Sequence, residues 1–410
     1  SDVYKRQLFL LHFTMLTGIF RDRFPIAGFS KHLLCNCGCF GRCTFDFVFS
    51  VIAWSCKAML AGKFPHIDHT GEKFHPNSWR GKMAGQDLNL RALCIRKFGD
   101  WAWYKQVLGL RGWRGETADL KCCWTCGAGF NALINCYDFS QHAEWRQTLV
   151  TQAEFYRELM TTNMFVSKIW TIPGFRLSFV RPDWMHVVDL GIAPTCVGSV
   201  LWYCFKALGG SFQNSKKATS KIFNMLKVAA AVLGHNLPIQ ALTIGMIRPA
   251  MKKKCLARLK AAECRYLVPI VLQMFEMNYA ANGEHESKIF HCLEALNDCY
   301  LELYRWVDVH SSCRLAARGR RHVMLFAELC KESTDPGYWS LQPKHHIFIH
   351  LVELSKTNPR IEWNYMDEDA IGHGARRARL QNIPNFNTSW IRRQRMLCTF
   401  DPEVGRRRRS

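Results

Sequence analysis

Hydrophobic and polar positions change their rhythm along this chain. From Leu8 to Phe29 short apolar stretches are broken at Gly18, Pro25 and Gly28, a texture that predicts strands and turns rather than one long helix. Phe45 to Ala61 carries apolar residues at helical spacing, and Gly62 is placed to stop that helix. Three longer helical patterns follow. Ser215 to Leu233 sets Ile222, Met225, Ala229 and Val232 on one face, with Gly234 as terminator. Ala257 to Tyr279 predicts a second helix, kinked at Pro269, and His285 to Val309 a third. Residues 127–340 therefore read as a mainly α block whose apolar stripes form core.

Length and charge widen the picture. At 410 residues the chain exceeds the usual single compact domain, so two domains, or a core with a large insertion, are expected. Its 55 Lys+Arg outweigh 33 Asp+Glu, a formal charge of +22 that makes nucleic acid the leading partner. The alternative is a basic surface that merely keeps the chain soluble. The 19 cysteines are odd in number and follow no secretory leader pattern, which predicts reduced thiols in an intracellular compartment. Leu8 to Phe20 is too short to span a bilayer and no later apolar run is long and unbroken, so no membrane partner is expected. Residues 1–7 have the look of a translated sequencing adapter, and the natural N-terminus is expected to lie upstream.

Several clusters carry candidate chemistry. Cys35, Cys37, Cys39 and Cys43 crowd a glycine-containing stretch; they read either as a metal knuckle or, the favoured reading, as a buried segment, because the spacing fits no common zinc pattern. His66, Asp68 and His69 share a turn-rich loop, where such groups more often bond to their own backbone. Cys123-x-x-Cys126 offers soft thiolates suited to Zn²⁺, and Asp183 with His186, three residues apart, could complete four ligands. The competing reading makes the two cysteines small core residues and His186 a core histidine. His345, His346 and His350 sit in an apolar segment and read as structural, with a phosphate or metal role as the alternative. Lys252, Lys253 and Lys254, then Arg376, Arg377, Arg379, Arg392 and Arg393 in an arginine-rich tail, are candidates for DNA phosphate contact and, in the tail, for nuclear import.

The order of the acids and their neighbours resembles a known family. Asp100-Trp101-Ala102-Trp103-Tyr104, Leu110 to Trp113 and Leu120-x-Cys-x-x-Cys are similar to the second-acid block of CACTA-type cut-and-paste DNA transposases. Arg181-Pro182-Asp183-Trp184-Met185-His186 resembles that family's Asp-x-Met-His block, and Ile349 to Glu353 with Trp363-x-Tyr365-x-x-Glu368 resembles the block of the last acid. Asp22-Arg23-Phe24-Pro25-Ile26-Ala27-Gly28 is similar to the first-acid block, with Arg23 where relatives have glycine. The resemblance implies an α/β fold, a ribonuclease-H-like core interrupted by a large mainly α-helical insertion. Residues 8–126 would be the first part of that core, 127–340 the insertion, 341–380 the end of the core and 381–410 a basic tail.

It also implies a function. Asp22, Asp100 and Glu368 would be catalytic carboxylates holding two Mg²⁺ ions, which activate the nucleophile and relieve charge on the leaving oxygen. The expected activity is phosphodiester cleavage and strand transfer on double-stranded DNA, at transposon ends and target, in the nucleus. A homo-oligomer is left open. The alternative is a non-catalytic, zinc-stabilised DNA-binding or structural protein derived from such an element.

Overall fold

The computed structural model describes residues 8–14, 23–30, 34–39, 41–93, 101–110, 123–129, 134–161, 166–251, 253–308 and 310–365. Asp22, Asp100 and Glu368 lie outside the described residues, as do Lys252, Arg376, Arg377, Arg379, Arg392 and Arg393.

Two strands, β1 (Leu8–Thr14) and β2 (Arg23–Ser30), form an antiparallel hairpin. Its register slips between Leu11 and His12, next to Pro25, which cannot donate to a ladder. This two-stranded ribbon is the whole of the sheet structure among the described residues, and the rest of the body is helical. The α/β expectation is thereby overturned. A ribonuclease-H-like core needs a multi-stranded sheet with helices packed on it, whereas the apolar stripes of this chain are buried by helix-on-helix packing.

The helices are α1 (Arg42–Ala61), α2 (Trp79–Met83), α3 (Trp101–Leu108), α4 (Gln152–Thr161), α5 (Ala193–Ala207), α6 (Ser215–Leu233), α7 (Ile244–Ile247), α8 (Ala261–Asn278), α9 (Glu284–Tyr304), α10 (His310–Glu332) and α11 (Pro343–Leu354). The stops expected at Gly62 and Gly234 are there, each glycine in the left-handed region with φ of 69° and 65°. Pro269 lies inside α8 without ending it. The predicted helix to Val309 stops sooner, at Tyr304, and a new helix begins at His310.

α5 is the axis of the molecule: from Ala193 to Phe205 every residue except Tyr203 is buried. It is entered through a π-helical stretch, Met185–Ile192, and α8, α9 and α11 pack around the pair. α10 lies along α9 and α11, and α6 along α8. Gly198 makes one close approach obligatory, since a Cβ there would stand 2.6 Å from the backbone nitrogen of Leu256. Among the described residues, two segments are long and apolar enough to cross a membrane by length and composition. One is the core segment Met185–Ala207, with 89% of its most apolar window buried; the other is α1, with 17%.

Candidate metal centre

Cys123 and Cys126 sit in a loop that continues through Gly127. The loop is tied down locally by the backbone N–H of Thr125 donating to Cys123 Sγ (3.3 Å), that of Ala128 to Cys126 Sγ (3.4 Å) and that of Gly127 to Thr148 Oγ1 (3.0 Å). N–H donors aimed at sulfur favour the thiolate, the form that binds metal. Trp124, between the cysteines, packs edge-on against Trp101 and Tyr104 of α3, which anchors the loop to the body.

Facing this loop is α11, whose His346 and His350 are one helical turn apart and so point the same way. Cys126 Sγ lies 3.2 Å from His346 Nε2 and 3.4 Å from His350 Nε2, and the two nitrogens are 3.1 Å apart. Cys123 completes the group: the four ligand atoms all lie within 4.8 Å of one another, and all four residues are buried. With bonds of about 2.3 Å to sulfur and about 2.0–2.1 Å to nitrogen, the edges of a tetrahedral site are roughly 3.3–3.8 Å. The observed spacings come close to that.

The surroundings orient the ligands. His346 Nδ1 donates to the carbonyl of Cys136 (3.0 Å), which leaves Nε2 as a bare acceptor aimed into the cluster. Trp145 stands edge-on to both imidazoles, with ring centroids 4.9 Å from each, and its Nε1 donates to the carbonyl of Asp138 (2.7 Å). Burial raises the Cys123 thiol, but Cys126 and the imidazoles of His350 and His346 outweigh it and bring it well below the ordinary thiol value. Burial lowers His346, against the pull of Cys123.

Three contacts set where α11 lies. Lys344 Nζ donates to the carbonyls of His186 (2.7 Å) and Leu190 (3.0 Å) in the π-helical stretch, running across Gly191, where a Cβ would meet its own Cδ at 2.5 Å. Gly319 of α10 lets Val352 and Phe348 press close, since a Cβ there would stand 2.8 Å from Val352. At the far end Glu353 binds Arg146, from the stretch after the cysteine loop, and Arg320 of α10. Burial pushes the Glu353 carboxyl up, but the two guanidiniums hold it below the usual range.

The structure brings Cys123 and Cys126 together, as expected, but with different partners. Asp183 and His186 are not in this cluster. The Asp183 carboxylate is saturated elsewhere: Oδ1 accepts from the backbone of Met185 (3.3 Å) and Asn364 (2.9 Å), and Oδ2 from the backbone of His186 (3.0 Å) while lying 2.6 Å from its Nδ1. It caps the π-helical stretch, so it has no lone pairs left to offer the cysteines. His346 and His350 take their place, and a legible sign was the His-x₃-His spacing, common among zinc ligands. His66 and His69 do not form a ligand cluster; Asp68 Oδ1 accepts from Thr70 and the backbone of Glu72 within its own turn. Cys35, Cys37, Cys39 and Cys43 converge at the start of α1 with part-exposed thiols rather than in a core. Lys253 and Lys254 are exposed.

A third group, Cys196, Cys292 and His322, is buried between α5, α9 and α10. There His322 Nδ1 donates to the Cys292 carbonyl (2.8 Å), so the nitrogen nearest the thiols is already used. The part-exposed cluster at residues 35–43, the buried cluster of four and this buried cluster of three could each hold a metal by proximity, but only the Cys123–Cys126–His346–His350 group combines four ligands with oriented imidazole nitrogens.

No protein-family model, curated protein or solved structure matches the chain.

Proposed function

We propose that this is a DNA-binding protein whose helical body is clamped by one structural Zn²⁺ held by Cys123, Cys126, His346 and His350. The observation that carries the reading is the convergence of two thiols and two oriented imidazoles from segments 220 residues apart in sequence. Zn²⁺ suits this donor set, four ligands leave no open position for catalysis, and burial keeps water out. The ion would join the cysteine loop to α11 and, through α11, to the π-helical stretch and α10.

The DNA-binding half rests on charge. α6 contains no acidic residue, and its Lys216, Lys217, Lys221 and Lys227 are exposed on the face opposite its buried Ala218, Ile222, Leu226 and Ala229. The arginines of α10 differ: Arg314 and Arg318 are paired with Glu302, and Arg320 with Glu353. Among the described residues the α6 lysines form no ion pair, with Lys227 Nζ resting 4.6 Å from the Phe223 ring centroid, and such cations on a rigid helix suit phosphate contact. Binding to random double-stranded DNA, followed by fluorescence anisotropy between 50 and 200 mM salt, tests this. Replacing the four α6 lysines with glutamate should weaken binding uniformly and reduce the salt slope by about 3–4, at about 0.9 per phosphate contact. An unchanged slope would remove α6 from the interface.

A second reading, a CACTA-type transposase using Mg²⁺ at Asp22, Asp100 and Glu368, is favoured by one observation. The segments next to the resembling blocks touch: Tyr104 Oη donates to the Arg181 carbonyl (2.8 Å), Arg181 to the Leu354 carbonyl (2.8 Å), and the Asn364 N–H to Asp183 (2.9 Å). Mg²⁺-dependent cleavage and strand transfer on element-end DNA, lost in Asp100→Asn, would support it; equal product from both proteins would sink it.

A further inference from the structure

We propose that Cys35, Cys37, Cys39 and Cys43 form a second, separate metal site, a solvent-facing tetrathiolate centre for Zn²⁺ that caps the N-terminus of α1. The first support is geometric. Cys35 Sγ lies 3.6 Å from Cys37 Sγ and 2.9 Å from Cys39 Sγ, and Cys43 Sγ lies 3.6 Å from Cys37 Sγ and 3.5 Å from Cys39 Sγ. The four sulfurs thus make a closed ring, each near two others, and all lie within 4.8 Å. A zinc tetrathiolate with bonds of about 2.3 Å has sulfur–sulfur edges of roughly 3.8 Å. Disulfides would instead draw the sulfurs into two pairs at about 2.05 Å, and here all four of these cysteines are free.

The second support comes from the helix. α1 begins with Gly41 at its N-cap, has no side-chain capping bond and carries no acidic residue in its first turn. The Arg42 N–H is met by the Cys39 carbonyl at 3.2 Å, so the cysteine loop itself closes over the start of the helix. One sulfur supplies an acceptor: the backbone N–H of Cys43 donates to Cys39 Sγ at 3.4 Å. A tetrathiolate centre with Zn²⁺ carries net negative charge, which the positive end of the helix dipole favours. The loop is built to wrap an ion, since Gly38 and Gly41 take left-handed φ values of 83° and 85°, and the Cys35 N–H is held by Thr44 Oγ1 at 3.0 Å. Ion and helix would stabilise each other: α1 packs on the body through Phe45, Phe49 and Ala53, and leaves Phe47 62% exposed.

This inference does not depend on the buried centre, and cobalt separates the two. The protein, purified under reducing conditions and stripped of metal, is titrated with Co²⁺ while the thiolate-to-cobalt charge-transfer band is followed. Filling of both sites gives two ions per chain and the absorbance of six thiolates. Cys39→Ser/Cys43→Ser should leave one ion and the absorbance of the two-thiolate centre, whereas Cys126→Ser should spare the four-thiolate spectrum. In the zinc-loaded wild type, amide hydrogen exchange over residues 42–49 should slow relative to the stripped protein. Saturation at one ion per chain with a spectrum unaffected by Cys39→Ser/Cys43→Ser overturns the proposal. So does mass spectrometry that finds the four cysteines paired in disulfides in the reduced preparation.

Discussion

The two thiol-rich sites differ in how the chain assembles them. The tetrad at the start of α1 draws all four sulfurs from residues 35–43, and a short loop suffices to bring them together. The buried centre takes two ligands from the cysteine loop and two from α11, 220 residues further on. The first can form as soon as its loop closes; the second exists only when the helical body is folded, because α11 is placed by Lys344, Gly319 and Glu353. A local site stabilises its own helix turn, while a long-range site is coupled to global unfolding.

Trp145→Ala would press hardest on this contrast. Trp145 is 2% exposed and packs on both histidine rings, so its loss should cost about 3–5 kcal/mol and weaken metal binding at the buried centre while sparing the tetrad. Denaturant unfolding with parallel metal titration reads both; an unchanged midpoint would mean the centre is not coupled to the core. Gly319→Val should cost about 1–3 kcal/mol by forcing α11 away from α10, with displaced histidines and metal loss from the buried site alone. Metal loss from the tetrad in this variant would erase the distinction between the two sites.

A third effect, visible only as a pH dependence, should come from Asp189, in the π-helical stretch. Burial pushes its carboxyl up from 3.8 to about 7, against hydrogen bonds from Tyr300 (2.5 Å) and Tyr365 (2.7 Å) and the charge of Arg265, while Asp183 adds to the rise. The folded state therefore holds a proton that the unfolded chain has lost between these values, so this group's contribution falls as pH rises from about 4 to about 7 and is level above. Asp189→Asn should remove that slope in denaturant midpoints measured across the window. A wild-type slope that persists in the variant would show that another group sets it.

Much of the helical body was legible. Residues 215–233 show their helix and glycine stop in the spacing of their apolar residues, and α1 shows its end at Gly62; of the face expected on the first, Ile222 and Ala229 are buried, whereas Val232 is 60% exposed and Leu226 takes part instead. Periodicity reports which face is buried, and that is a local property. The fold class was misread because the resemblance rests on short blocks around single acids, and such blocks do not say whether strands between them pair. The ligand set was half legible: Cys-x-x-Cys announced a metal corner, but His346 and His350 looked like core histidines, since they are buried in an apolar helix and differ from core histidines only in what faces them.

By itself, then, the sequence determined the helices, their buried faces, the strong positive charge and the residue types able to bind a soft divalent ion, because each of these depends on neighbours within a few turns of chain. Only the tertiary structure decided which imidazoles meet Cys123 and Cys126, that Asp183 is consumed as a helix cap, and that the tetrad at residues 35–43 faces solvent. The choice of imidazoles depends on the docking of α11 against the π-helical stretch and α10, a contact between distant segments that no local pattern encodes, and the exposure of the tetrad depends on α1 packing on the body through Phe45, Phe49 and Ala53.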